Sequence, residues 1–545
     1  MSLRVKYHDI PEGAQEAARV DGQGQPFSDI ALVAFGADDV AYATLEPDGW
    51  PLDGSRKVMS ADTKTFFWSL ATSDGDTAEL DEHPIITLSF PEKYTATGIT
   101  ITFSPSTNEW CAKIVVTWYS GNDQLCQVTA YPDSAYEIIQ QAVEGFDKVT
   151  VELCETNIAG HFAKVQRIEV GQTHWFEQEE ISAVHIVNEV DPSLSELSID
   201  TMQIDIHDRK ERSLIPQKNQ KVDLYQNDKL YAAHYIASSS REAKHYYTFS
   251  CQSAIGLLDE DFLGGIYDAV PVPIVLADIL EGFAFELHDA FADSTISGYL
   301  PICTRREALQ QLVFAIGAVV TTQESSAIRI APIPTTVSKG FTKSDIFQGA
   351  KVETEPRVAK VEVVAHKYTE SSEVETLMDA EEISGTDVLV TFADPHYSYQ
   401  ISGGTITGSG ANWVTINANG SVTLTGKKYL HSTVRHAKRN PEATAAERSN
   451  VYVADDATLV HSGNVAAVLQ RLYDISLLRQ TLTQDVVITT QRAGQIVPTE
   501  NPWGELMRGY ITSMESDLTP SGHTASVTVL GAKIDKAEEF YGTDY

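Results

Sequence analysis

Three aromatic residues, Trp110, Trp118 and Tyr119, lie close together in a β-rich stretch, and aromatic faces on a sandwich can stack on sugar rings. The competing expectation is that Trp118 and Tyr119, consecutive on a strand, point to opposite faces, one of them into the core. The fifteen histidines are scattered. The closest two, His431 and His436, have an odd spacing that puts them on opposite sides of a strand, which disfavours a metal site. Paired acids at Asp259–Asp261, Glu381-Glu382 and Asp455-Asp456 resemble the carboxylate pairs of glycosidases, yet a chain with 76 acidic residues yields such runs by chance. Cys111, Cys126, Cys154, Cys251 and Cys303 are odd in number and form no CxxC, so they read as small buried hydrophobes in a reducing compartment.

Other motifs are equally bare of chemistry. The glycines from Gly403 to Gly410 lie between strands with no helix following, so they read as hairpin turns and not as a phosphate-cradling loop. Asn419-Gly420-Ser421 matches a glycosylation sequon but reads as a turn. There is no GxxxxGK[ST], HExxH or GxSxG motif and no EF-hand spacing. The residues therefore assign no catalytic group, no cofactor and no metal, and the chain is not expected to be an enzyme.

The elements that would position these residues are mostly strands. Residues 1–27 are polar and read as an arm. Thr97–Phe103, Ala112–Tyr119, Leu125–Thr129 and Phe146–Leu153 alternate polar with apolar, with Ser120-Gly121-Asn122-Asp123 a turn, and predict a β-sandwich over 28–164. A second β unit covers 165–261, with a hairpin around Gln226-Asn227-Asp228-Lys229. Residues 262–335 form a small α/β unit. Its helix from Thr304 starts on a T-x-x-E capping box with Glu307, and Gly317 supplies the left-handed stop. A further β domain is assigned to 336–365 and 430–545, interrupted by a β insertion at 366–429 in which the acidic stretch Glu370–Glu382 reads as a loop. Val465 through Leu478 mark an amphipathic helix with Asn464 as its N-cap.

Size and charge bound the class. At 545 residues the chain exceeds any single ordinary domain and predicts three to five. A net charge of −36 repels phosphate backbones and anionic headgroups, which excludes a nucleic-acid grip and peripheral membrane binding. The N-terminal stretch has no apolar leader core, and no apolar run is long enough to span a bilayer, so no secretion and no membrane insertion are expected.

Five strings in this order, TGITITFSPSTNEWCAKIVVTWYSG (from Thr97), NQKVDLY (from Asn219), FSCQSAIGLLDEDF (from Phe249), CTRREALQQLVFAIGAV (from Cys303) and NPWGELMRGYITSM (from Asn501), resemble tail-tip or baseplate hub proteins of long-tailed bacteriophages and prophages. The resemblance runs from about residue 30 to 530. It implies a mainly β, multidomain fold: a galactose-binding or discoidin-like sandwich, two β-barrel-like tube domains (165–261; 336–365 with 430–545) and the small α/β domain. It implies a homotrimer whose six tube domains make a pseudo-sixfold ring at the distal end of a virion tail, assembled in the bacterial cytoplasm.

The partners it implies are the distal tail or tail tube protein, the tape measure protein and other baseplate or receptor-binding proteins. DNA would pass through without specific binding, along a lumen that carboxylates keep free of cationic traps. Relatives often continue into a wall-cleaving domain, and a chain that stops at Tyr545 is not expected to carry one. The alternative is a carbohydrate-binding adhesin, in which the sandwich touches a host cell-wall glycan through Trp110, Trp118 and Tyr119.

Overall fold

A computed structural model of the chain describes residues 2–534 apart from 12, 36–39, 52, 61–62, 213, 348, 502 and 520–521. Strands take 56% of it and helices 10%, so the alternating sequence patterns prevail and the fold is mainly β. Among the described residues no helix is long and apolar enough to cross a membrane.

The N-terminal sandwich rests on four long strands, Ile85–Thr102, Cys111–Ser120, Asp123–Ala130 and Tyr136–Thr156, extended to six by Arg19–Asp21 and Arg167–Val170. Ser120 pairs with Asp123 across the expected turn, where Gly121 takes φ 60°. A second sheet, Phe67–Thr72 with Phe162–Val165, shares its core through Phe67 and Val165, which join Ile99, Trp118 and Phe146.

The first barrel-like unit orders seven antiparallel strands as Gln172–Phe176, Leu3–Asp9, Lys221–Gln226, Lys229–Ala243, Tyr246–Gln252, Thr201–His207 and Ile181–Glu189. Its end strands line one core, with Val5 and Phe176 beside Ile181, Val184 and Ile186, so the sheet curls on itself. The second unit orders Ile496–Glu500, Leu506–Thr519, Gly522–Ile534, Gln480–Val487 and Lys351–Thr354. Segment 337–347 bridges its two sides, touching Ile496 and Thr499 on one and Val486 on the other. Phe341, fully buried, plugs the gap.

Between them in the chain comes the α/β unit, with helices Val272–Ile279 and Arg305–Ile316 over the small sheet Phe285–Leu287, Ile328–Pro332, Ala318–Thr321. The capping box forms as the sequence requires: Glu307 N donates to Thr304 Oγ1 at 3.1 Å and Thr304 N to Glu307 Oε2 at 2.9 Å. Gly317 stops the helix at φ 77°.

Several expectations are corrected. Residues 3–9 are not part of an arm: Leu3, Val5 and Tyr7 are buried in the first unit, and the strand inserts between partners more than 160 residues away. Glu370–Glu382 is not a loop but part of a strand, Lys360–Thr391, paired with Trp413–Arg439 over almost its whole length. Met378 and Ile383 bury themselves there while the acids between them stay in water. Gly403 is likewise inside a strand, His396–Ser409. A Cβ on it would stand 2.1 Å from the Ser421 carbonyl oxygen, so the glycine permits close approach of two backbones. Asn419-Gly420 also lies within a continuous strand.

These three strands form a long arm, roughly 100 Å at ~3.3 Å per residue for the longest of them. Its base, residues 360–365 with Val451–Ala454, packs under helix Val465–Ser476 and not, as the sequence suggests, into the second barrel-like unit. Asn464 does not cap that helix through its side chain; its Oδ1 accepts from His461 N at 2.7 Å.

Candidate assembly interface

The two barrel-like units are joined edge to edge. Ile181–Glu189 of the first pairs antiparallel with the 513–518 segment of the second, and the twelve strands become one continuous sheet. The local sequence dictates both faces. VHIVN and MESDL alternate, so Val184, Ile186 and Asn188 turn inward opposite Leu518, Ser516 and Met514. Leu518 is fully buried in the core of the first unit, whereas Met514 is buried in that of the second. The joint therefore shares apolar surface between the two cores in addition to its ladder.

Inside the joint two groups are shifted by burial. Asp200 accepts from Glu189 N at 3.1 Å, and desolvation, exceeding its hydrogen bonds, pushes the carboxyl up to about 6. Tyr231 of the first unit faces His523 of the second with ring centroids 5.6 Å apart, hydroxyl to Nε2 3.4 Å. Burial, aided by Arg492, pulls His523 down to about 4. Arg492 stacks 4.8 Å from the Tyr231 ring and pairs with Glu324.

The opposite, outward face of the joint is polar. Paired residues share a face, so Ala183, His185, Val187 and Glu189 line up with Asp205, Gln203 and Thr201 on one side and with Asp517, Glu515 and Ser513 on the other. The next strand adds Thr524, Ser526 and Thr528. This row carries four carboxylates (Asp205, Glu189, Glu515, Asp517) and neither lysine nor arginine. His185 lies 2.9 Å from Asp517.

The structure does not bring Trp110, Trp118 and Tyr119 together as a platform. Trp118 is 1% exposed in the sandwich core. Trp110 is partly buried, its indole N–H donating to the Pro132 carbonyl at 3.0 Å. Tyr119 points the other way and is covered by Lys148, 4.4 Å from its ring centre. His431 meets His366, Nε2 to Nδ1 2.9 Å, instead of His436. None of the joint residues Asp200, Tyr231, Leu518 and His523 was singled out in the sequence. Leu518 could have been found from alternation, but a contact between positions 231 and 523 has no local signal.

No protein-family model matches the chain, and no curated protein does. Solved structures similar to it include phage and prophage tail proteins and baseplate components. A 43 kDa tail protein of prophage MuSo2 from Shewanella oneidensis is 11% identical, over 65% of this chain and 95% of the other, at a TM-score of 0.41. A tail protein from Neisseria meningitidis MC58 is 10% identical over 66% and 94%, at 0.41. A prophage tail protein from Listeria monocytogenes EGD-e is 12% identical over 65% and 91%, at 0.38.

Proposed function

We propose that the chain is a structural hub of a phage-type tail, in which three copies close a ring of six barrel-like units around the tail axis. The observation that carries this is the joint at Ile181–Glu189 and 513–518: one chain already sets two such units side by side in one sheet. Repeating that edge contact between chains is a heterologous interface, which closes into a ring when its rotation divides a full turn.

The outward row of the joint lines the lumen in this reading. Its four carboxylates and its lack of lysine and arginine suit a wall past which DNA slides, because each lysine on a phosphate would anchor it. The ring extends or terminates the tail tube at the distal end of the virion and contacts the distal tail or tube protein and the tape measure protein. The sandwich and the three-stranded arm, outside the two barrels, seat other baseplate or receptor-binding proteins. The role is assembly and not catalysis. The sugar-binding alternative is not retained, because Trp118 is core and Trp110 and Tyr119 are engaged elsewhere. Multi-angle light scattering of the full chain tests the ring: a threefold mass supports it, and a monomer at all concentrations contradicts it.

A further inference from the structure

The sandwich buries four ionisable side chains against one another, far from the joint. Glu46, Glu109, His161 and Lys164 are all less than a tenth exposed. They come from separate segments: Glu46 from the stretch between Arg19–Asp21 and Phe67–Thr72, Glu109 from the turn ahead of Cys111–Ser120, and His161 and Lys164 from the strand Phe162–Val165 and the residue preceding it. Lys164 Nζ donates to Glu46 Oε2 at 2.9 Å and to Glu109 Oε2, and rests 4.3 Å from the centre of the Trp68 ring. Thr44 Oγ1 donates to Glu46 Oε2 at 2.6 Å, and Phe162 N to Glu46 Oε1 at 2.7 Å. These donors outweigh burial and hold the Glu46 carboxyl below its ordinary range.

Lys164 takes Oε2 of each carboxylate, and the two Oε1 atoms flank one buried place. The group aimed into that place is His161. Its Nδ1 has no hydrogen-bond partner and lies 3.5 Å from Glu109 Oε1 and 3.8 Å from Glu46 Oε1. The three atoms lie within 4.8 Å of one another. Ligand atoms bonded at ~2.0–2.2 Å to a tetrahedral zinc ion stand about 3.3–3.6 Å apart, so a small inward movement closes the set.

We infer that Glu46, Glu109 and His161 form a structural site for one divalent cation of the zinc class. One imidazole nitrogen with two carboxylate oxygens supplies three of the four ligands of Zn²⁺, a trapped water completing the tetrahedron, and is too few oxygens for Ca²⁺. Lys164 and Thr44 act from behind, fixing the second oxygens of the carboxylates as outer-shell partners do. The ion clips the Glu46 segment to the rest of the sandwich. The site is sealed, so the ion enters during folding and binds as part of the folded state.

An imidazole N–H aimed at the same two carboxylates is the metal-free arrangement, and metal content separates the two. The full chain, produced in zinc-supplemented medium and passed over a desalting column, is expected to carry about one zinc per chain, and its cobalt-substituted form to show the visible absorption of a tetrahedral ion. Unfolding and refolding with a strong chelator lowers Tm, and refolding with Zn²⁺ restores it. His161→Gln and Glu109→Gln are expected to weaken zinc retention by ~10- to 100-fold. His83→Gln, at the exposed His83–Glu152 pair, leaves it unchanged. Zinc-free wild type whose Tm ignores the chelator overturns the site, as does a folded His161→Gln chain that keeps its zinc. Should the variants not fold, the stripping and restoration of the wild type decide the matter alone.

Discussion

Tyr231 and His523 belong to different barrel-like units, yet their rings stand edge to face at 79° with centroids 5.6 Å apart. Burial holds His523 down at about 4, well below an unfolded histidine near 6.5. A depressed histidine is neutral in the fold and takes up its proton on unfolding, so its contribution is complete above about pH 6.5 and is lost as pH falls towards 4. At pH 5 the loss is about 2 kcal/mol. His523→Gln is expected to flatten the fall in urea midpoint between pH 7 and 5. His234, also near 4 through burial, should leave a residual slope. An unchanged slope would show that His523 is not desolvated at the joint.

Asp200 acts with the opposite sign. Its folded value of about 6 exceeds the unfolded one near 3.9, so stability is greatest below pH 4 and declines as pH rises through 6. Asn at this position keeps an oxygen for Glu189 N and carries no charge. Asp200→Asn is therefore expected to gain up to about 2–3 kcal/mol at pH 7 and little at pH 4. Equal effects at both values would contradict a buried, charge-averse carboxyl.

Leu518 and Trp118 separate the two modules. Leu518→Ala removes a side chain that the second unit places in the core of the first, at about 2–5 kcal/mol. Trp118→Ala costs about 3–5 kcal/mol and loosens the sandwich. Hydrogen exchange is expected to rise along 181–189 and 513–518 in the former, and along Cys111–Ser120 and Tyr136–Thr156 in the latter.

How much of this was legible in the sequence varies with range. The capping box at Thr304 and Glu307 and the turns at Gly121 and Asn227 are local chemistry and appear where their residues place them. The mainly β class follows from alternation. Leu3–Asp9 alternates just as cleanly, but its partners lie at 172–176 and 221–226, and a short run at a terminus reads as an arm. Glu370–Glu382 reads as a loop because its acids mask the apolar side chains that pack the arm. Glu46, Glu109 and His161 are dispersed along the chain, so only tertiary folding gathers them.

The face with Glu189, Glu515 and Asp517 predicts behaviour towards DNA. The wild-type chain is expected to pass through an immobilised duplex-DNA column at physiological salt. Lysine at all three positions should produce retention that weakens steeply with salt, each new phosphate contact adding about 0.9 to the slope of log affinity against log salt. Strong retention of the wild type would remove the lumen from this face.

The central claim is the ring. Electron cryomicroscopy of the assembled full-length protein, alone or in its particle, tests it most directly. The account predicts three chains about one axis, with the Ile181–Glu189 joint and its interchain counterpart alternating around six barrel-like units and the Glu515 row turned to the channel. A particle in which the chain stands alone, or in which that row faces away from any channel, contradicts it.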